Sequence, residues 1–193
     1  MRVLVLYAHP DPESFGAALH RATVSALQGA GHAVDDCDLY AEEFDPVLPL
    51  AERRGYHDPA SNRAPVARHV DRLMAAEALV LVYPVWNFGF PAILKGYLDR
   101  VFLPGVSFRL DEGRVRPNLR HLKALAAVTT YGGPRWRAAL LGDPPRRLVG
   151  RVLRGLVHPR AAYRYLALYD MNRRSAADRA TFLARVEHTL GAL

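Results

Sequence analysis

The stretch LVLVYPVWNFGFPAILKGYLDRVF, Leu79 to Phe102, decides how this chain is read, because a buried strand, an aromatic turn and a helix follow one another in it without a break. Leu79, Val80, Leu81 and Val82 form a continuous branched apolar run. That is the pattern of a central parallel strand covered on both faces. Pro84 ends the run, and Trp86, Phe88 and Phe90 crowd a turn that also carries Asn87 and Gly89. Solvation alone would favour polar residues there, so an apolar body over the turn is expected, with an ordinary aromatic cluster as the alternative. Pro91 suits a first helical position. Beyond it Ile93, Leu94, Tyr97, Leu98, Val101 and Phe102 share one helical face, with Lys95, Asp99 and Arg100 elsewhere.

Outward from this segment the pattern repeats. Arg2 to Tyr7 is a second buried strand, followed by the loop His9-Pro-Asp-Pro-Glu-Ser-Phe-Gly and a helix over 14–28, stopped by Gly29 and Gly31. Residues 32–39 suit an edge strand, and 40–65 form a long irregular segment, functional or mobile by its length. Pro65 opens a helix to Ala76 with Val66, Val70, Leu73 and Met74 inward. Residues 108–118 suit a small hairpin around Gly113, and 123–130 a strand running into Thr129-Thr130-Tyr131-Gly132-Gly133. A helix over 145–156, a strand over 163–169 and a helix from Ser175, with Asp178 completing a capping-box start, finish the chain. Five strands alternating with helices imply an α/β fold: a doubly wound, five-stranded parallel sheet with helices on both faces, one domain over residues 1–193. Ligands bind such sheets beyond the carboxyl ends of the strands. Loops 9–16, 84–91 and 129–136 all follow strand carboxyl ends, so their convergence on one site is expected.

Composition narrows the function classes. The 193 residues carry a formal net charge of +7 and one cysteine. A disulfide framework and a cysteine zinc site are excluded, and no run is long enough for a signal segment or membrane span, which points to the cytoplasm. The arginines are scattered without aromatic alternation, so a solvated surface that attracts phosphorylated cofactors is favoured over a nucleic-acid face. His57 and Asp58 are read as solvated loop residues, Cys37 as an ordinary strand residue, and Tyr163, Tyr165 and Tyr169 as strand packing.

The first loop lacks both the dinucleotide and the Walker glycine patterns. Ser14 can cap the helix it opens, leaving the N–H groups of Phe15, Gly16 and Ala17 with the helix dipole to favour an anion such as phosphate, and His9 can add a donor. The second loop offers aromatic faces beside Asn87, suited to a flat ring. The third offers three hydroxyls and the closely approachable backbone of Gly132 and Gly133. Phosphate, ring and ring edge together fit an isoalloxazine, whose reduced form gains from nearby backbone donors.

With HPDPESF after the first strand, YPVWNFGFPAILKGYLDRVF in the middle and TTYGG after the fourth, the chain resembles the flavodoxin-like NAD(P)H:quinone oxidoreductases and their modulator-of-drug-activity, potassium-efflux ancillary and azoreductase relatives. The resemblance implies a homodimer that binds FMN, or alternatively FAD, takes a hydride from NADH or NADPH and passes two electrons to a quinone or similar acceptor. By motif, His9, Ser14, Phe15 and Gly16 would face the flavin phosphate, Pro84, Val85, Trp86, Asn87 and Phe88 the ring, and Thr129, Thr130, Tyr131, Gly132 and Gly133 its pyrimidine edge. Gly16 stands where many members carry asparagine. The mammalian enzymes follow their glycine pair with a tyrosine and a histidine credited with assisting hydride transfer. Here that stretch begins Pro134-Arg-Trp-Arg and has no histidine. Tyr131 and Trp136 are the nearest catalytic candidates. Alternatives within the same fold are an azoreductase or nitroreductase type, a regulatory subunit docked on a membrane transporter, and a nonenzymatic electron carrier.

Overall fold

The computed structural model describes all of residues 1–193. Its core is a parallel sheet in the order β2-β1-β3-β6-β7, built from β1 Arg2–Tyr7, β2 Ala33–Asp38, β3 Ala78–Val85, β6 Ala124–Tyr131 and β7 Ala162–Leu168. The hairpin strands β4 Phe108–Asp111 and β5 Arg114–Pro117 form a separate two-stranded sheet. Register is continuous across the centre, with Val3, Leu4 and Val5 beside Ala78, Leu79 and Val80, and Ala78 to Val85 beside Ala124 to Tyr131. β1 and β3 are neighbours whose outward partners lie in opposite directions, so the carboxyl ends of β1, β3 and β6 border the switch point where such folds bind ligands.

Both sheet faces are apolar because alternate residues of each central strand point opposite ways. Val3, Val5, Val80, Val82, Ala126 and Val128 pack under α1 Phe15–Gly29 and α8 Ala176–Leu190, which contribute Leu19, Leu27, Phe182, Val186 and Leu190. Leu4, Leu6, Leu79, Leu81, Leu125 and Ala127 pack under α3 Ala67–Ala75 and α4 Ala92–Val101. Ser175 caps α8 with the expected reciprocal bonds to Asp178. No helix is long and apolar enough to cross a membrane.

Several expectations are corrected. Segment 40–65 is folded down rather than loose: Phe44 is buried, a Cβ at Gly96 would overlap Pro46, Asn62 Nδ2 donates to the Pro104 carbonyl at 3.0 Å, and α2 Leu50–Gly55 carries Glu52 to Arg100. Arg100, off the apolar face of α4, is buried there, because paired carboxylate bonds offset its desolvation. Pro91 is the N-cap of α4 and Ala92 its first residue. Met74 is exposed, one position past the buried stripe of Val66, Val70 and Leu73. The helix expected over 145–156 is present without interruption over 144–156, but its middle, Leu148–Leu153, is widened to a π-helical run between α6 Pro144–Arg147 and α7 Arg154–Leu156. At Gly150, inside that run, an added Cβ would stand 2.9 Å from the Tyr163 hydroxyl, so close packing against β7 accompanies the widened turn.

Candidate active site

The first loop is organised by its own side chains. Ser14 Oγ donates to the Asp11 carbonyl at 2.7 Å and accepts from Ala17 N at 3.1 Å. Asp11 Oδ1 accepts from Glu13 N, and Asp11 N donates to His9 Nδ1 at 3.0 Å. Because His9 Nδ1 is an acceptor, the neutral ring carries its proton on Nε2, free to donate. The amides of Phe15 and Gly16 find no acceptor within the chain and stand at the positive end of a four-turn helix. A Cβ at Gly16 would lie 3.3 Å from the His9 ring and 3.4 Å from Ser14 Oγ. The asparagine common among the resembled proteins would therefore press on His9, and glycine keeps the amide approachable.

The second loop closes with mutual bonds between Trp86 and Gly89, 3.2 Å from Trp86 N and 2.8 Å from Gly89 N. Asn87 and Phe88 both take positive φ, 48° and 57°, the mirror-image geometry of a tight reversal. Left-handed backbone suits asparagine but is unfavourable for phenylalanine, and such strain gathers at functional sites. It leaves Trp86 and Phe88 about 40% exposed, at 41% and 40%. The Asn87 and Phe88 amides have no acceptor within the chain. Phe90 turns inward, its ring edge-on to Tyr83 at 4.8 Å, so it belongs to the wall rather than to the open face. The His9 and Trp86 rings lie 5.7 Å apart, joining this turn to the first loop.

The third loop faces the second across a cleft of about 210 Å³, with Val85, Asn87 and Phe88 on one side and Tyr131, Gly132, Gly133, Pro134 and Ala138 on the other. Gly132 and Gly133 amides are unpaired within the chain, while the Gly133 carbonyl accepts from Asp170 N at 2.8 Å and fixes the loop. Thus free main-chain donors of the second and third loops border one aromatic-walled cleft, and the first loop, which is not in its lining, adjoins it through the His9 and Trp86 rings.

Not every residue singled out from sequence lines this cleft: His9, Ser14, Phe15, Gly16 and Trp86 are outside its lining, and His9 borders a separate hollow with Tyr7, His20 and Tyr40. Pro84 is buried in β3, and Thr129 and Thr130 are buried in β6, so their hydroxyls do not line the cleft. Thr129 Oγ1 has no hydrogen-bond partner at all. Trp136 lies on α5 Arg135–Leu140, 63% exposed, with the Arg137 guanidinium 5.5 Å over its ring, and is not part of the lining. Tyr131 lines the cleft, but its hydroxyl donates to Asp143 Oδ1 at 2.6 Å, so it holds no free proton toward a substrate. Burial raises its pKa far above the ordinary phenol value.

Two groupings had no sequence signal. Tyr165 and Tyr169, read as strand packing, join Tyr131 and Asp143 in one polar cluster: Tyr165 Oη is 2.7 Å from Tyr131 Oη, and Tyr169 donates to Asp143 Oδ2 at 3.0 Å. Cys37, Glu42 and His69 bring potential metal-ligand atoms within 4.8 Å of one another. Glu42 is there bound by both Nη1 contacts of Arg72, and burial pushes the Cys37 thiol up to about 12. A resident guanidinium on the carboxylate and a protonated thiol suit buried packing, not a cation.

The comparisons agree with this geometry. A family model described as flavodoxin-like fold matches residues 1–154. An uncharacterized NAD(P)H oxidoreductase of Haemophilus influenzae is 37% identical over 114 residues, 58% of this chain and 56% of that protein. NAD(P)H dehydrogenase [quinone] 1 of Cavia porcellus is 31% identical over 147 residues, 68% of this chain and 54% of the relative. The matches therefore span about half the length of these relatives. Among solved structures, Smu.1420 from Streptococcus mutans superposes over both whole chains with a TM-score of 0.86 and 28% identity. The NAD(P)H:quinone oxidoreductase of Methanothermobacter marburgensis shares the fold, with a TM-score of 0.82 at 23% identity over 99% of this chain and 98% of that one. On a family model that covers residues 1–154, and with a five-stranded parallel sheet in the structure, this chain belongs to the family with the flavodoxin-like fold.

Proposed function

We propose that this protein is a flavin-dependent reductase: it takes a hydride from NADH or NADPH and passes two electrons to a quinone or similar small acceptor, with FMN as the flavin. The observation that carries the reading is the set of unpaired main-chain donors on three neighbouring loops, two of which border one aromatic cleft while the first adjoins it through the His9–Trp86 ring contact. The amides of Phe15 and Gly16, with Ser14 and the Nε2 proton of His9, would hold the phosphate. Trp86 and Phe88 present ring faces, and Gly132 and Gly133 present amides to the edge of a ring held there. The flavin, when bound, supplies the hydride chemistry. The chain's own work is to orient the ring, exclude water from one face and stabilise negative charge with amides that need no reorganisation.

A single open cleft admits donor and acceptor in turn, which is the basis for ping-pong kinetics. Trp136, Leu140 and Leu141, on or next to α5 and near the lining residue Ala138 in sequence, are exposed. Such a group of exposed apolar residues supports a homodimer that covers them. The apolar face of α4 gives no such support, because Ile93, Leu94, Tyr97 and Val101 are spent in the chain's own core. Names of the relatives, NAD(P)H oxidoreductase and NAD(P)H dehydrogenase [quinone], point the same way, and one FMN-dependent NADH-azoreductase from Bacillus anthracis, solved with FMN, shares the fold at a TM-score of 0.77.

The test uses FMN-loaded protein under anaerobic conditions. NADH or NADPH should bleach the flavin absorbance, benzoquinone should restore it, and double-reciprocal plots should be parallel. Protein that holds FMN but is bleached by neither nicotinamide would instead be a binding module, such as a transporter's regulatory subunit.

A further inference from the structure

The chain leaves β6 at Tyr131, runs through Pro134 and α5, and comes back to Tyr131 through Asp143. Side chains close the neck of this excursion. Tyr131 and Tyr169 stack, ring centroids 4.4 Å apart at 27°, and donate to the two oxygens of one carboxylate, Tyr131 to Asp143 Oδ1 at 2.6 Å and Tyr169 to Oδ2 at 3.0 Å. The single hydrogen of Tyr131 is committed to the carboxylate, so at 2.7 Å Tyr165 must be the donor to Tyr131. Bonds from neutral donors to an ionised acceptor are among the stronger ones. Asp143 adds a main-chain bond, N to the Ala138 carbonyl at 2.7 Å, and takes a left-handed φ of 45°. Two phenols and one amide therefore fix a residue whose backbone would otherwise relax. Between the fixed ends lie Pro134 and Ala138, which form one side of the cleft, and Trp136, Leu140 and Leu141, which point outward.

We propose that the Asp143 carboxylate, gripped by Tyr131 and Tyr169, is a latch that holds the Pro134–Leu141 excursion as a wall of the cleft. Asp143 is thus a positioning residue that sets the width of the acceptor side. The latch is a property of the folded chain alone; its consequence for the acceptor rests on the function proposed above. A released wall swings outward, the cleft widens, and a small flat acceptor loses contact on one face while the flavin's phosphate end is untouched.

The experiment measures amide hydrogen exchange in flavin-free protein and quinone reduction in FMN-loaded protein, for the parent, Asp143→Gly, Asp143→Ala and Tyr169→Phe. Glycine removes the carboxylate while accepting the left-handed backbone, so loosening in Asp143→Gly is not a strain effect. Exchange across 134–142 should speed up about tenfold in both Asp143 variants and less in Tyr169→Phe, with peptides from β1 and β3 unchanged. The KM for benzoquinone should rise about threefold or more in Asp143→Gly, with kcat nearly kept. Unchanged exchange in 134–142, or a rise shared equally by the whole sheet, overturns the latch. Tyr169→Phe keeps the ring stack and decides the matter if the Asp143 variants do not fold. Faster exchange in protein that reduces no quinone would leave the latch standing and remove the reductase reading. A normal reductase with unchanged exchange would do the reverse.

Discussion

The two ends of the site are built by opposite means. At the Phe15–Gly16 end the organising bonds are local, the longest in sequence running from Arg21 to the Pro12 carbonyl, and the presented groups are main-chain amides. At the Gly132–Asp143 end the bonds join residues 12, 26 and 34 apart in sequence, through side chains of β6, of β7 and of the segments that follow α5 and β7. A locally closed loop tolerates the loss of a side chain, since the amides stay in place. A wall assembled from distant side chains, and a ring face that is nothing but side chain, should not.

The contrast is most exposed at the ring face. Trp86→Ala or Phe88→Ala should weaken FMN binding about tenfold to a hundredfold, from lost ring contact and lost apolar burial, with melting temperature nearly unchanged. Fluorescence titration of each variant checks it. An unchanged affinity would mean that the aromatic turn does not touch the flavin.

A second difference lies in alkaline pH. Burial raises the pKa of Tyr83, Tyr131 and Tyr165, so the folded protein holds these protons more tightly than the unfolded chain. Their contribution is complete below the ordinary phenol value of about 10 and is lost as pH rises past it. Stability should therefore fall above about pH 10, with phenolate absorbance appearing together with unfolding. Phenolate formation in protein that stays folded would show that the cluster is open to solvent.

The smallest effect belongs to the anion end. Ser14→Ala should cost about 0.5 to 2 kcal/mol of stability, the usual range for a lost cap, and weaken FMN by a comparable amount. Chemical denaturation and flavin titration, run side by side, separate the two. Lower stability with unchanged FMN affinity would reduce Ser14 to a cap alone.

The same contrast explains what the sequence disclosed. Runs such as Leu79 to Val82, Ser14 three residues before Ala17, and Ser175 before Asp178 encode their structure within a few residues, so the sheet, the Ser14 cap and the capping box were legible. Gly16 was legible as a departure from the family pattern, and its reason, contact with the His9 ring, became clear only in three dimensions. Asp143 was not legible: within Gly142-Asp143-Pro144-Pro145 it reads as a turn residue, and nothing local tells that Tyr131 and Tyr169 converge on it. Thr129 and Thr130 were overread for the same reason. A hydroxyl in a motif was taken to face a ligand, whereas strand pleating and the cover of both faces bury it.

The claim that three loops form one flavin site is tested by titrating the purified protein with FMN while following flavin fluorescence. Stacking on Trp86 or Phe88 predicts saturable quenching at one FMN per chain, lost on Trp86→Ala with Phe88→Ala and competed weakly by inorganic phosphate at the Phe15–Gly16 amides. FMN fluorescence that stays unquenched, in protein shown to be folded, would contradict it.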